Sequence, residues 1–143
     1  MLVRLLYASR AVEPVDDEAI HSIMEQSNRN NCALGITGVL CMHRGGEVFL
    51  QVLEGGRAPV NALYNQLIHD ERHQDVTLLS YTEIDERHFS SWRMGCVDLN
   101  KINVSTLLKY SESAQLDPYS MNGHGALELL EELVGTAAIV GAE

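Results

Sequence analysis

EVFLQVLEGG, residues 47–56, is a run of apolar residues closed by two glycines, with a glutamine at its centre. Val48, Phe49, Leu50, Val52 and Leu53 make the segment a buried strand, and Gly55-Gly56 ends it. Gln51 is the anomaly. A buried primary amide carries two donors and two acceptor lone pairs, so it requires several partners in the interior. Side chains of a strand alternate between faces, which puts Phe49, Gln51 and Leu53 together on one side.

Working outward, ITGVLCMH (36–43) is a second strand, and the Arg44-Gly45-Gly46 turn joins it to the first as a β-hairpin. LVRLLYA (2–8) is a short strand buried on both faces and interrupted by one arginine. Pro14 and the acidic run Asp16, Asp17, Glu18 open a helix, since carboxylates favour the positive end of the helix dipole. Ile20, Ile23, Met24 and Ser27 recur at helical spacing, and SNRNN before Gly35 stops the helix near Asn30 or Asn31. Pro59 starts a second helix with Val60, Leu63, Tyr64, Leu67 and Ile68 inward. VTLLSYTEI (76–84) is a strand, and FSSWRMGCVDL holds a last one centred on Trp92 to Val97. The order β-α-β-β-α-β-β gives an α+β, ferredoxin-like fold, a mixed five-stranded sheet with two helices on one face.

The tail differs. VSTLLKYSE and GALELLEELVGTAAIV are two helical stretches separated by a loop at Pro118. Leu127, Leu130, Glu131 and Val134 give the second an apolar stripe with acidic flanks, suited to packing on its own sheet or to meeting a partner. The expected organisation is a domain over 1–98 and a helical extension over 99–143.

Composition limits the function. With 143 residues, 45 % hydrophobic and 21 % charged, the chain suits one globular domain. A formal charge of −10 with dispersed Lys and Arg opposes binding to nucleic acid or an anionic membrane. No stretch reaches the roughly 18 apolar residues of a membrane span. Cys32, Cys41 and Cys96 are scattered, which suits a reducing, cytoplasmic setting and neither a disulfide framework nor a thiolate metal site. HDERH (69–73) places two histidines at i and i+4, half of a zincin motif, but Asp70 stands where the general-base glutamate belongs and no third ligand is spaced for zinc. No metal is expected.

The inner faces of both helices end in polar groups: Asn31 lies seven residues after Met24, and Asp70 seven after Leu63. In the first strand Val3, Leu5 and Tyr7 share a face. If that face and the Gln51 face both lie beneath the helices, Tyr7 and Gln51 are neighbours at the base of a pocket. They are then either a buried polar pair satisfying each other and the backbone, or the contacts of a polar ligand.

LLYASR with Tyr7, SNRNN followed by GITG with Asn31, FLQVLEG with Gln51, the helix ending DERH, and SSWRM with Trp92 and Met94 resemble, in order and spacing, the BLUF domains over about residues 2–97. These are blue-light sensors that bind FAD. The resemblance implies a flavin between the two helices, Asn31 bonded to the ring edge, and Gln51 bridging Tyr7 and the ring. Arg29, Asn30, Asp70, Arg72 and His73 are implied contacts to the ring edge or ribityl-phosphate chain, with Ile23, Ser27 and Leu67 on the walls. Light is expected to drive electron and proton movement from Tyr7, rearranging the Gln51 hydrogen bonds and shifting the flavin spectrum to the red. Trp92 and Met94 are either the relay to the rest of the protein or simple core packing.

The resemblance further implies a short member that is not an enzyme, forms homo-oligomers and signals to a separate partner protein. The hairpin at His43 to Glu47 is somewhat longer than in compact members, and Arg93 puts a charge between Trp92 and Met94. Two alternatives from other classes stand beside this: a small flavin-dependent oxidoreductase or ferredoxin-like hydrolase, which needs a positioned acid, base or nucleophile, and a cofactor-free interaction module in which Gln51 is a core amide.

Overall fold

The computed structural model describes residues 1–13, 16–42, 47–97, 102–135 and 139–142. Its elements are β1 (Leu2–Ala11), α1 (Asp17–Leu34), β2 (Thr37–Met42), β3 (Val48–Gly56), α2 (Arg57–Ile68), β4 (His73–Ile84), β5 (Met94–Val97), α3 (Val104–Leu108), a 3-10 turn (Pro118–Ser120), α4 (Gly123–Val134) and β6 (Ile139–Ala142). The sheet order is β4-β1-β3-β2-β5-β6. All pairs are antiparallel except β2 with β5. The five expected strands are present, and a sixth from the tail joins them. Pro14, the Arg44-Gly45-Gly46 turn and the 98/99 boundary lie outside the described residues.

Alternation along the central strands divides the core. Val3, Leu5, Tyr7, Phe49, Leu53 and Leu40 face α1 and α2. Leu6, Leu50, Val52, Val39 and Cys41 face the other way and meet Ala126, Leu129, Leu130 and Leu133 of α4. The last helix therefore covers its own sheet, and burying each of those leucines contributes about 1.5–3 kcal/mol. The stripe is displaced from the one read in sequence: Leu127 and Val134 are only partly buried, while Glu131 faces outward to His88. Gly123 is needed where α4 meets β4, because a Cβ there would lie 2.3 Å from the Leu79 carbonyl oxygen.

Local chemistry sets the ends of α1. Asp16 caps it by accepting from the Ala19 N–H at 2.8 Å. Gly35 adopts φ 68°, and the N–H groups of Gly35 and Ile36 both close on the Asn31 carbonyl, a Schellman termination that fixes Asn31 at the helix end.

Four expected elements change. α1 runs on to Leu34 instead of stopping near Asn30 or Asn31, because its cap is Gly35. The last strand begins at Met94, not Trp92, because pairing with β2 starts at Val39 opposite Gly95. The first tail helix stops at Leu108. The helical pattern read through to Val140 ends at Val134, and Ile139–Ala142 pairs antiparallel with β5. Gly135 follows the helix, and the β-branched pair Ile139-Val140 favours extended backbone.

On the α4 side, Arg4 and Glu54 face each other across β1 and β3, with Nε 2.8 Å from Oε2. Glu54 is fully buried and also accepts the backbone N–H of His88 at 3.0 Å and of Phe89 at 2.6 Å. One carboxylate thus ties the sheet centre to the loop leading into β5. Glu54→Ala, which strands a buried guanidinium and two amides, is expected to cost about 3–5 kcal/mol in denaturant unfolding. Replacing Arg4 and Glu54 together by Met and Leu should recover only the part due to the stranded guanidinium, since the His88 and Phe89 amides still lack their acceptor. A single-variant cost below about 1 kcal/mol would contradict this role.

Candidate functional site

The cleft between α1 and α2 is built on the β1–β3 register, in which Tyr7 lies directly opposite Gln51. Tyr7 Oη donates to Gln51 Oε1, and Gln51 Nε2 donates to Met94 Sδ at 3.1 Å. All three side chains are buried. Thioether sulfur is a weak acceptor, so Gln51 uses one strong and one weak bond. No further partner for its second N–H or second lone pair exists among the described residues. Asn31, also buried, donates from Nδ2 to the Arg93 carbonyl at 3.0 Å.

Burial, helped by Tyr64 and Asp70, pushes the Tyr7 phenol well above its ordinary range. It is therefore a neutral proton donor at any physiological pH. The Tyr64 ring leans over it, with centroids 5.7 Å apart.

The cleft has a volume of about 810 Å³. Ile23, Ser27, Asn30 and Asn31 line one wall, Leu63, Gln66 and Leu67 the other, and Leu40, Phe49, Gln51 and Met94 the floor with Tyr7. Glu13, Asp70, Glu71, Arg72 and His73 also belong to the lining. Asp70 is gripped by Arg72, whose Nη2 lies 2.6 Å from Oδ2, and that hydrogen bond pushes the carboxyl down to about 2. His73 Nδ1 lies 3.1 Å from the Ser9 hydroxyl, and its ring meets Phe49 edge-on at 5.6 Å.

Of the residues singled out in sequence, Tyr7, Ile23, Ser27, Asn30, Asn31, Gln51, Leu67, Asp70, Arg72, His73 and Met94 all line this cleft. Arg29 and Trp92 do not. Arg29 is exposed, about 100° round the helix from Asn30. Trp92 precedes regular β5 and packs against the cluster on the opposite face. The pair HDERH is not a helix face either: α2 ends at Ile68 and His73 opens β4.

Sequence reading missed Leu40, Gln66, Glu13 and Glu71 as lining residues. Gln66 stands one turn before Asp70, a usable helical signal. Leu40 required the β2–β3 register, in which it sits opposite Gln51.

The arrangement suits a flat aromatic ligand with a polar edge. Apolar side chains stand on both walls, and two buried amides, Asn31 on one wall and Gln51 on the floor, border the cleft. A flavin ring has that shape and that edge.

The sequence matches the family BLUF, sensors of blue-light using FAD, over residues 2–95. The chain belongs to the BLUF family. Over 94 residues it is 36 % identical to the photoactivated adenylate cyclase subunit beta of Euglena gracilis, a match that spans 65 % of this chain but 11 % of the cyclase. It is 29 % identical over 99 residues to the blue light- and temperature-regulated antirepressor BluF of Escherichia coli K12, covering 69 % of this chain and 24 % of that protein. Matches with these curated relatives thus span only a small part of their length. Among solved structures, BlsA in its photo-activated state superposes with a TM-score of 0.84 at 30 % identity, covering 96 % of this chain and 98 % of that one. The dark-state structure of BlrB, a BLUF protein, gives 0.77 at 28 % identity over 93 % and 94 %.

This BLUF domain is a blue-light sensor whose cofactor is FAD. Among the described residues, no helix is long and apolar enough to cross a membrane.

Desolvation lowers the His73 pKa from its ordinary 6.5, outweighing the attraction of Asp70. The folded protein thus binds this proton less well than the unfolded chain does. The stability it contributes is present above about pH 6.5 and is lost as pH falls through the folded value. Asp70 acts in the same sense between pH 3.8 and about 2. The flavin-free protein is expected to melt at lower temperature at pH 5.5 than at pH 7.5, with a smaller difference in His73→Gln. An undiminished difference in that variant would assign the effect elsewhere.

Proposed function

We propose that Tyr7 and Gln51 carry the light response, and that residues 1–98 form the sensor unit while 99–143 form an extension through which it signals to a separate protein. The observation that carries this reading is the buried chain from Tyr7 Oη through the Gln51 amide to Met94 Sδ. FAD, when bound, supplies the blue-light absorption and an electron-accepting ring. The chain's part is to hold a movable proton and an invertible amide beside it.

The Tyr7 proton lies on the bond to Gln51 Oε1, and both side chains are buried. An amide has a donor end and an acceptor end, so turning it or changing its tautomer reverses what it offers each neighbour. After the proton returns to Tyr7, a turned Gln51 presents Nε2 where Oε1 stood. Tyr7 can accept that N–H, but Oε1 then faces the Met94 sulfur, acceptor against acceptor, and such a mismatch is worth on the order of 1–3 kcal/mol when buried. That is enough to bias a neighbouring element, and Met94 is in contact. Asn31, held by the Arg93 carbonyl, positions the ring edge, while Asn30, Asp70, Arg72 and His73 serve the remainder of the cofactor.

Sensing without turnover is supported by the occupied chemistry of the cleft. The Asp70 carboxylate is locked to Arg72, and His73 is bonded to Ser9. The match to the BLUF model supports the tail as an addition, since it ends at residue 95. Scattered cysteines support a cytoplasmic setting. Self-association is supported by β4, a twelve-residue edge strand exposing Leu78 and Tyr81.

Blue light should shift the absorbance of the FAD-loaded protein reversibly to the red. Gln51→Leu and Tyr7→Phe should each abolish the shift while keeping FAD affinity within about tenfold, or ~1.4 kcal/mol. A normal photocycle in either variant would refute the assigned roles. Steady oxidation of reduced nicotinamide in darkness would favour an oxidoreductase instead.

A further inference from the structure

The strand contributed by the tail lies one step from the photoactive amide. Met94, which receives the Gln51 N–H, is the first residue of β5 and is paired with Ala142 of β6. We infer that β6 is a light-releasable cover: it occupies the outer edge of β5 in darkness and detaches when Gln51 turns, leaving that edge open to strand addition by a partner. The inference rests on the reading of Gln51 given above.

Three observations carry it. First, β5 is only four residues long, and β6 pairs with all four, so any shift of Met94 acts on the whole of this ladder. Second, the ladder is weak. It has four pairs, one of them Gly95 opposite Gly141, where no side chains meet, and β6 is itself the edge of the sheet. Third, the chain before β6 is anchored independently of it. Leu129, Leu130 and Leu133 hold α4 in the core, and Lys109 pairs with Glu132 at 2.6 Å. Detachment therefore stops at α4 and leaves the domain folded.

The direction follows from the amide. In the present arrangement Gln51 offers its N–H to the Met94 sulfur. Turning it presents the carbonyl oxygen instead, an acceptor facing an acceptor, and Met94 must move. Its other neighbour, β2, is paired on both sides within the packed sheet, whereas β6 is the edge strand and pairs with β5 on one side only. The yielding contact is the β5–β6 pairing. An uncovered strand edge takes another extended chain by backbone pairing, which fits a partner that donates a strand.

Hydrogen exchange on the FAD-loaded full chain, in darkness and under blue light, tests this while the flavin absorbance is followed in the same sample. The amides of β6 that pair with β5 should be protected in darkness and exchange at least about tenfold faster in light, with α4 unchanged. Val140→Pro, which removes a β6 amide and disfavours its pairing, should show the fast exchange already in darkness and retain the red shift. A red shift accompanied by unchanged β6 exchange would overturn the release and leave the Gln51 reading standing. Unprotected β6 amides in the dark wild type would overturn it as well. Loss of the red shift itself would instead refute the underlying reading.

Discussion

A primary amide placed on a central strand of a sheet has to be satisfied, and the Gln51 side chain is satisfied only in part by the protein. Tyr7 fills one acceptor site and Met94 sulfur one donor. The unmet capacity, next to a second buried amide at Asn31, makes the space between α1 and α2 a ligand site and not merely a gap in packing. The same incompleteness makes the amide usable as a switch. A fully bonded glutamine would resist turning, and an exposed one would lose nothing by it.

The surrounding structure is arranged so that this one group has a mechanical neighbour. Arg93 gives its carbonyl to Asn31, and Met94 gives its sulfur to Gln51, so consecutive residues are bound to the two amides of the cleft. The segment before them crosses to the other face. Phe89 and Trp92 belong to the α4-side core, and the backbone at His88 and Phe89 is held by the buried Glu54 carboxylate. His88 also meets Glu131 of α4. Residues 88–94 therefore connect the cofactor side of the sheet to the tail side through backbone and charge contacts, without help from a flexible linker.

Much of this was legible in the sequence because it depends on periodicity. Strand parity placed Tyr7 and Gln51 on one face, and a seven-residue interval placed Asn31 and Asp70 at helix ends facing the same space. What parity cannot supply is register. The direct pairing of Tyr7 with Gln51, the place of Leu40 opposite Gln51, and the Arg4–Glu54 ion pair all require knowing which residue stands across from which. In sequence Arg4 is an interruption in an apolar strand, and nothing there pairs it with Glu54. Trp92 was misplaced because alternation was extended backward past the start of β5 pairing. The sixth strand was hidden by an amphipathic pattern that continues past Gly135, where tertiary pairing with β5 overrides helical propensity.

The central claim is that the Gln51 amide is the moving part, and vibrational spectroscopy addresses it at the group itself. Light-minus-dark infrared difference spectra would be recorded on FAD-loaded protein with and without isotopically labelled glutamine side-chain amides. Gln51→Leu would identify the band that belongs to this residue. The expected result is a label-sensitive side-chain carbonyl band that shifts on illumination, recovers in darkness together with the flavin absorbance, and is absent from the variant. A full red shift with no label-sensitive glutamine band in the difference spectrum would contradict the account.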